Sequence, residues 1–219
     1  MEACRDYRKL KEWGYPPGAS LKLVGDRYRL SREQRQCLTR GVVERAVAEE
    51  RARKMVSADG VRGAPLGLDW FNIIITVESY LKGTALFLAD DGVVRDCGGV
   101  HGSWRKSRVT DRAVREILTV VSRLSPARVD AVLDAPLAHS GLMAEELRGK
   151  LTVLGMAHEV RLERSADFPL KSYEGIVASS DSAILDRVGR ALDLPRLVLE
   201  DSFGFSPPPL ARLEGPPPG

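Results

Sequence analysis

The chain has 219 residues, of which 43% are hydrophobic and 29% are charged, and its net charge is +3. These values are ordinary for a globular protein, and the length suffices for one well-packed domain with a small appendage. The charged N-terminal segment is unlike a secretory signal, and no apolar run reaches the roughly 18 residues of a membrane span. We therefore predict a cytoplasmic protein without a membrane segment.

Charge is unevenly distributed along the chain. Residues 1–60 contain 14 lysines and arginines against 9 acidic residues, whereas the remainder carries a net charge of −2. A basic N-terminal segment fits a nucleic-acid partner, and a solvated helical surface is the alternative explanation for its charge.

The three cysteines, Cys4, Cys37 and Cys97, are scattered and odd in number. Because no CxxC pair is present, they indicate neither a disulfide framework nor a zinc site. We predict free thiols, which fit a cytoplasmic location.

Residues 1–60 are predicted to form a basic helical module. Residues 1–20 include "GYPPGAS" and are expected to be a loose segment. Ser31 and Gln34 have the spacing of a capping box, which predicts a helix over residues 31–55. The glycines and the proline of residues 57–67 then break this helix, and we place a module boundary there.

Residues 61–201 alternate short apolar runs with helical patterns. The expected elements, in chain order, are a strand (66–68), a helix (72–82), a hairpin around Asp91-Gly92, a helix (110–124), a strand (128–133), a helix (140–150), two strands (157–163 and 175–179), a helix (181–192) and a strand (196–199). This order predicts an α/β fold with a mostly parallel sheet, helices on both faces and an inserted hairpin. The proline-rich residues 202–219 are predicted to be disordered or peripheral.

Three aspartates, Asp69, Asp134 and Asp181, follow directly on predicted strands. Ligands of open parallel sheets bind outside the carboxyl ends of the strands, so this fold directs all three aspartates to one edge. Structural alternatives exist, because Asp181 suits a helix N-cap and Asp134, before Ala-Pro, suits a turn.

Converging carboxylates raise one another's pKa unless a cation is present. Mg²⁺ prefers oxygen ligands and is commonly held by one or two carboxylates together with a substrate phosphate. Such an ion lowers the pKa of bound water and offsets charge on a phosphodiester. The pattern therefore predicts that Asp69, Asp134 and Asp181 bind Mg²⁺ or Mn²⁺ and are catalytic. Asn72 is predicted to orient Asp69 or a metal-bound water, with a helix N-cap as its alternative role.

The segments "LDWFNIII", "AVLDAP" and "VASSDSAIL" each carry one of these aspartates. In this order and spacing they resemble the acidic segments of the PIN-like nuclease superfamily, including its NYN branch. Residues 20–200 also resemble an uncharacterised prokaryotic family in which a basic helical module, here "LVGDRYRLSREQRQCLTRG", precedes a PIN-like domain. The resemblance implies a PIN-like fold and metal-dependent cleavage of RNA.

The sequence departs from the nuclease pattern in three respects. Trp70 follows the first aspartate where glycine is usual, and Ala183 replaces the second acid of the closing motif. No helix-borne glutamate is an unambiguous fourth acid, and Glu78 and Asp96 are the candidates.

The stretch "HGSWRKSR" combines an aromatic side chain with three cations. We predict that Arg105, Lys106 and Arg108 contact RNA phosphates, that Trp104 stacks on a base and that His101 assists proton transfer. The alternative is a solvated loop in which Trp104 is partly packed.

The segment "HSG" opens a predicted helix whose backbone amides can hold an anion, which makes Ser140 a further substrate-binding candidate. A loop or capping role is the alternative for the neighbouring His139.

Three functions are compatible with these patterns. The first is a metal-dependent PIN-like ribonuclease, the second a non-catalytic RNA- or protein-binding module on the same scaffold, and the third a small-molecule phosphatase. RNA is preferred over DNA only because of the family resemblance. The chain lacks the P-loop, dinucleotide-binding and HExxH motifs, so we expect neither a Walker-type nucleotide site nor a common zinc protease.

Overall fold

The computed structural model describes residues 2–98 and 104–212 of the chain. Its helices are α1 (Glu2–Glu12), α2 (Pro17–Arg27), α3 (Arg32–Gly41), α4 (Arg45–Lys54), α5 (Trp70–Leu81), α6 (Thr110–Leu124), α7 (Ser140–Val153), α8 (Asp167–Lys171), α9 (Ser182–Leu185) and α10 (Leu194–Phe203). Its strands are β1 (Pro65–Asp69), β2 (Leu86–Leu88), β3 (Val94–Asp96), β4 (Arg128–Asp134), β5 (His158–Glu163), β6 (Ile176–Ala178) and β7 (Ala191–Leu192). No helix within these ranges is long and apolar enough to cross a bilayer.

Five of the strands form a parallel sheet in the order β5-β4-β1-β6-β7. The central strand, β1, is covered on both sides. Leu66 and Leu68 belong to the main core, which also contains side chains of α5, α6 and α7. On the opposite face, Gly67 lets α8 approach closely, because a Cβ there would lie 3.2 Å from Leu170 and 3.1 Å from Tyr173. The predicted α/β class with a mostly parallel sheet and helices on both faces is confirmed.

Strands β2 and β3 form the predicted antiparallel hairpin as a separate two-stranded sheet. Gly92 supplies the left-handed turn conformation, with φ of +78°. The N-terminal helices pack against this hairpin, since Tyr7, Leu38 and Phe87 share one apolar cluster. The hairpin therefore connects the N-terminal helices to the rest of the fold.

The N-terminal helices differ from the prediction in two respects. Residues 2–27 are mostly helical rather than loose, and the predicted helix over residues 31–55 is divided into α3 and α4. The capping box of Ser31 and Gln34 is confirmed. The division follows from contacts with the hairpin turn, because Asp90 accepts a hydrogen bond from the Val43 amide at 3.0 Å and donates its own amide to the Gly41 carbonyl at 2.9 Å.

The prediction of three free thiols is wrong for two of them. Cys37 and Cys97 form a disulfide between α3 and the end of the hairpin, whereas Cys4 is a buried free thiol. The two partners are 60 residues apart in sequence, so their proximity arises only when the hairpin packs on α3.

The C-terminal part also differs from the prediction. Residues 181–192 form the short α9 and β7 instead of one helix, and the predicted strand over residues 196–199 lies inside α10. Asp193 begins α10 because its carboxylate accepts the Arg196 amide at 3.0 Å. The tail is packed at least as far as Leu210, which is buried against the hairpin and the N-terminal helices.

A buried ionic network joins three segments that are distant in sequence. Asp91, in the hairpin turn, accepts two hydrogen bonds from Arg95, at 2.7 and 2.8 Å, and one from Arg51 of α4, at 2.9 Å. Arg51 also contacts Asp186, after α9, at 2.7 Å. Burial raises the pKa of Asp91, but the two guanidinium groups outweigh burial and hold this pKa below its usual value. The network therefore keeps Asp91 ionised inside the protein.

We expect Asp91→Ala to lower the free energy of unfolding by about 3–5 kcal/mol, because it leaves two buried arginines without their shared counter-ion. Urea denaturation at neutral pH measures this loss. The matched control is Asp201→Ala, which removes a solvent-exposed ion pair with Arg123 and should cost less than about 1 kcal/mol. Equal losses in the two variants would contradict the role assigned to the network.

Asp193 is a second buried acid, and its pKa is shifted in the opposite direction from that of Asp91. Burial raises the pKa of Asp193 to about 6, although the Val94 and Arg196 amides, which donate to its two oxygens, lower it. The folded protein therefore holds this proton more tightly than the unfolded chain does. Its contribution to stability is present at low pH and is lost as the pH rises through about 6.

We expect Asp193→Asn to remove this pH dependence. Between pH 4 and pH 7, the difference in unfolding free energy between the wild type and the variant should shift by about 2 kcal/mol against the wild type. Urea denaturation of both proteins across this pH range measures the difference, and a constant difference would contradict the assignment.

Candidate functional site

The three predicted aspartates follow neighbouring strands of the parallel sheet. Asp69 ends β1, Asp134 ends β4, and Asp181 comes three residues after β6. Since β4 and β6 flank β1 on its two sides, the three residues lie along one carboxyl edge of the sheet. That common edge is where open parallel sheets bind ligands.

The strand register puts Asp69 and Asp134 on the same face of this edge. Asp69 is paired with Val132, and Asp134 is two positions further along β4. Because side chains alternate along a strand, Val132 and Asp134 point to one face, which is also that of Asp69. Strand spacing and the two-residue offset give a Cα–Cα separation of about 8 Å for the two aspartates.

Two serines after β6 hold the first aspartate and the start of α5. The Ser179 hydroxyl donates to the carboxylate of Asp69, which is buried, at 2.7 Å. The Asn72 side-chain oxygen accepts both the amide and the hydroxyl of Ser180, each at 2.9 Å. Asn72 thus lies in the first turn of α5 and binds the end of β6 rather than capping its own helix. Sequence reasoning missed both serines, although "VASSDS" places them directly before the third aspartate.

The other two aspartates also bind backbone amides. Asp134 accepts the Ala166 amide at 2.9 Å, at the start of α8. Asp181 caps α9 by accepting the amides of Ala183 at 2.7 Å and Ile184 at 3.3 Å. Within residues 2–98 and 104–212, no group of three or more histidine, cysteine or acidic side chains is arranged to hold a metal ion. All three carboxylates are therefore bound by protein groups; Asp69 and Asp134 share one face of the sheet, and Asp181 caps α9.

Both candidates for a fourth acid are engaged in structural contacts. Glu78 is buried in α5, where it accepts the Thr110 hydroxyl and pairs with Lys82 at 2.5 Å. Asp96 pairs with Arg40 of α3 at 2.8 Å and accepts the Gly98 amide at 2.8 Å. These contacts connect helices and hairpin to one another, so neither residue supplies a clear additional ligand.

The basic segment after the hairpin differs in part from its predicted role. Trp104 is buried against Phe71, with ring centroids 4.9 Å apart, so its ring is not presented to an RNA base. Arg105 and Arg108 are exposed. Lys106 is also exposed but binds Asp111 at 2.8 Å and Glu146 at 2.9 Å, and these bonds raise the pKa of Lys106.

The remaining predicted site residues lie near the start of α7 or outside the described part of the chain. The Ser140 hydroxyl donates to the Ala135 carbonyl at 2.9 Å, so it closes a turn instead of facing solvent. His139 is exposed in the left-handed conformation at the helix start, with φ of 62°. A shallow groove of about 290 Å³ is lined by Trp104, Lys106, His139, Leu142, Met143 and Glu146. The predicted role of His101 falls outside the described residues.

Comparison with known proteins gives family membership without an activity. Residues 58–197 match the family model "Domain of unknown function (DUF5616)", and residues 1–54 match "Protein of unknown function (DUF434)". An uncharacterised protein of Methanocaldococcus jannaschii is 29% identical over 184 residues, which covers 84% of this chain and 88% of that protein. No solved structure matches the chain significantly. Since its family model covers well over half of the residues, the chain belongs to the DUF5616 family.

Proposed function

We propose that the protein is a PIN-like, metal-dependent ribonuclease that hydrolyses RNA phosphodiesters at the carboxyl edge of its sheet. The observation that carries this proposal is the register of β1 and β4, which places Asp69 and Asp134 on one face of neighbouring strands. Two carboxylates in this relation suit phosphoryl chemistry, where a cation must be held beside a substrate phosphate.

The donor set fits Mg²⁺ or Mn²⁺ that is bound partly by water. Mg²⁺ usually retains several waters and takes one or two carboxylates together with substrate phosphate oxygens, rather than a closed protein cage. Asp69 and Asp134 would supply those carboxylates. When bound, the ion supplies an acidified water and offsets negative charge on the phosphodiester.

Asn72 and the two serines are positioning residues in this proposal. Asn72 fixes the first turn of α5 against Ser180, and Ser179 donates to the Asp69 carboxylate, so the end of β1 and the start of α5 are both held against the segment after β6. In this proposal Asp181 acts as the cap of α9, whose amides it receives, and not as a metal ligand. Exposed Arg105 and Arg108 would contact the RNA backbone.

RNA is preferred as the substrate because the three acidic segments resemble those of PIN-like nucleases. This warrant is an analogy between families, and it adds to the geometric argument without replacing it.

A non-catalytic RNA- or protein-binding module is the second candidate function. It is favoured by the hydrogen bonds that Asp69, Asp134 and Asp181 make to protein groups and by the lack of a three-ligand cluster among the described residues. Such a module would bind its partner without cleavage, and metal would not change its affinity.

We expect purified protein to cleave labelled single-stranded RNA in the presence of Mn²⁺, and Asp134→Asn to lose most of this activity. The loss should be at least the roughly 10- to 100-fold that removing even an outer-shell partner of a metal costs. Gel analysis of the RNA products measures the rate. Cleavage that persists unchanged in the variant would indicate a contaminating nuclease, and binding without cleavage would favour the second candidate.

Asp181→Asn is the matched control for this experiment. Asparagine caps helices about as well as aspartate, so the variant keeps the start of α9 while removing the negative charge. If Asp181 is only a cap, cleavage should stay within a few-fold of the wild type. A loss as large as that of Asp134→Asn would instead make Asp181 a third ligand.

We expect RNA binding to weaken steeply with salt, because Arg105 would replace counter-ions on the phosphates. Arg105→Ala should reduce the slope of log affinity against log salt by about 0.7 for single-stranded RNA. Arg105→Lys keeps the charge and should keep the slope. Titrations by fluorescence anisotropy at several salt concentrations measure it, and an unchanged slope in Arg105→Ala would remove this contact from the proposal.

A further inference from the structure

Helix α8 lies on the sheet face that carries Asp69 and Asp134. Its N-terminal flanking residue, Ala166, is buried and donates its amide to Asp134 at 2.9 Å. Leu170, at the other end, is fully buried and packs over Gly67 of β1. These two anchors fix the helix against the strands that end in the candidate site.

Phe168 lies between these anchors but is not packed. It is 85% exposed, whereas Ala166 and Leu170 are almost completely buried. A single exposed apolar side chain is ordinary and carries no argument by itself. Here, however, the ring is presented by a helix whose position is fixed by a bond to Asp134. At helical spacing, its Cα is about 5 Å from that of Ala166.

A cation lies on the same short segment. Arg164 is exposed, two residues before Ala166, and it forms no ion pair with any residue in the described parts of the chain. The other cation nearby, Lys171, pairs with Asp167 at 2.8 Å. An exposed aromatic ring four residues from an exposed arginine supplies the two groups that single-strand-binding proteins use, with the ring under a base and the cation on the backbone.

We infer that Phe168 and Arg164 form a subsite for single-stranded RNA beside Asp134. Phe168 stacks under one unpaired base, and Arg164 contacts an adjacent phosphate. This subsite takes the stacking role that buried Trp104 does not fill. The inference rests on the proposed function in placing RNA at this edge, and it adds that the substrate must be unpaired there, because only an unstacked base exposes a face to the ring.

The test measures the affinity of the full chain for a short labelled single-stranded RNA in EDTA, so that cleavage does not consume the ligand. Phe168→Ala should weaken binding by about 5- to 150-fold, the range for loss of one stacked base. Phe168→Trp should restore it, because indole also stacks. RNA with abasic sites should bind wild type and Phe168→Ala equally, which a merely structural role of Phe168 would not produce.

The matched control is Val153→Ala. Val153 is equally exposed, at 88%, but it ends α7, on the opposite edge of the sheet from Asp134. This variant should bind RNA like the wild type, and thermal melts of both variants should match the wild type. Wild-type affinity in Phe168→Ala, or an equal loss in Val153→Ala, would overturn the subsite.

The outcomes separate the subsite from the ribonuclease proposal. Weakened binding in Phe168→Ala without Mn²⁺-dependent cleavage by any variant would retain the subsite and reject the ribonuclease. Normal binding in Phe168→Ala together with cleavage that depends on Asp134 would reject the subsite and retain the ribonuclease. A wild-type protein that does not bind the RNA at all would overturn the subsite, and the cleavage assay would then decide the proposed function separately.

Discussion

The buried carboxylate of Asp91 is the interaction on which the arrangement of the molecule depends. It brings together Arg51 of the N-terminal helices and Arg95 of the hairpin, and Arg95 in turn donates to the Ser180 carbonyl at 3.3 Å. Ser180 binds Asn72, beside the first aspartate of the candidate site. A continuous series of hydrogen bonds therefore runs from the N-terminal helices to the carboxyl edge of the sheet. Because a buried ion cannot lose its partners without a large cost, these segments are held together as one unit.

In the candidate site, a shared position at one edge of the sheet does not give the three aspartates the same contacts. All three predicted aspartates reach the same edge, but their hydrogen bonds distinguish them. Asp181 is fixed by the amides of α9, whereas Asp69 and Asp134 share a face that helix α8 also lines. The amides and hydroxyls around these carboxylates position them in fixed orientations. We interpret that fixed geometry as suited to binding a cation and a phosphodiester in the proposed ribonuclease.

Local sequence signals were accurate where a few neighbouring residues decide the structure. The capping box at Ser31, the turn at Gly92 and the strands directly before Asp69 and Asp134 were predicted correctly, with each strand one residue longer at its carboxyl end. Errors arose where distant contacts compete with local preference. Residues 42–44 break a helical pattern because the turn at Asp90 takes the Val43 amide, and residues 196–199 are helical because Asp193 caps them while also binding Val94.

The sequence by itself determined the α/β class, the hairpin and the three aspartates at strand ends, since hydrophobic period and turn residues are local properties. Only the tertiary structure decided which aspartates share a face, because this depends on strand order and register, which no short segment encodes. The same holds for the Cys37–Cys97 disulfide, for burial of Trp104 and for exposure of Phe168. Each depends on which surfaces meet after folding. The sequence around an aromatic residue does not show whether its ring will be packed or exposed.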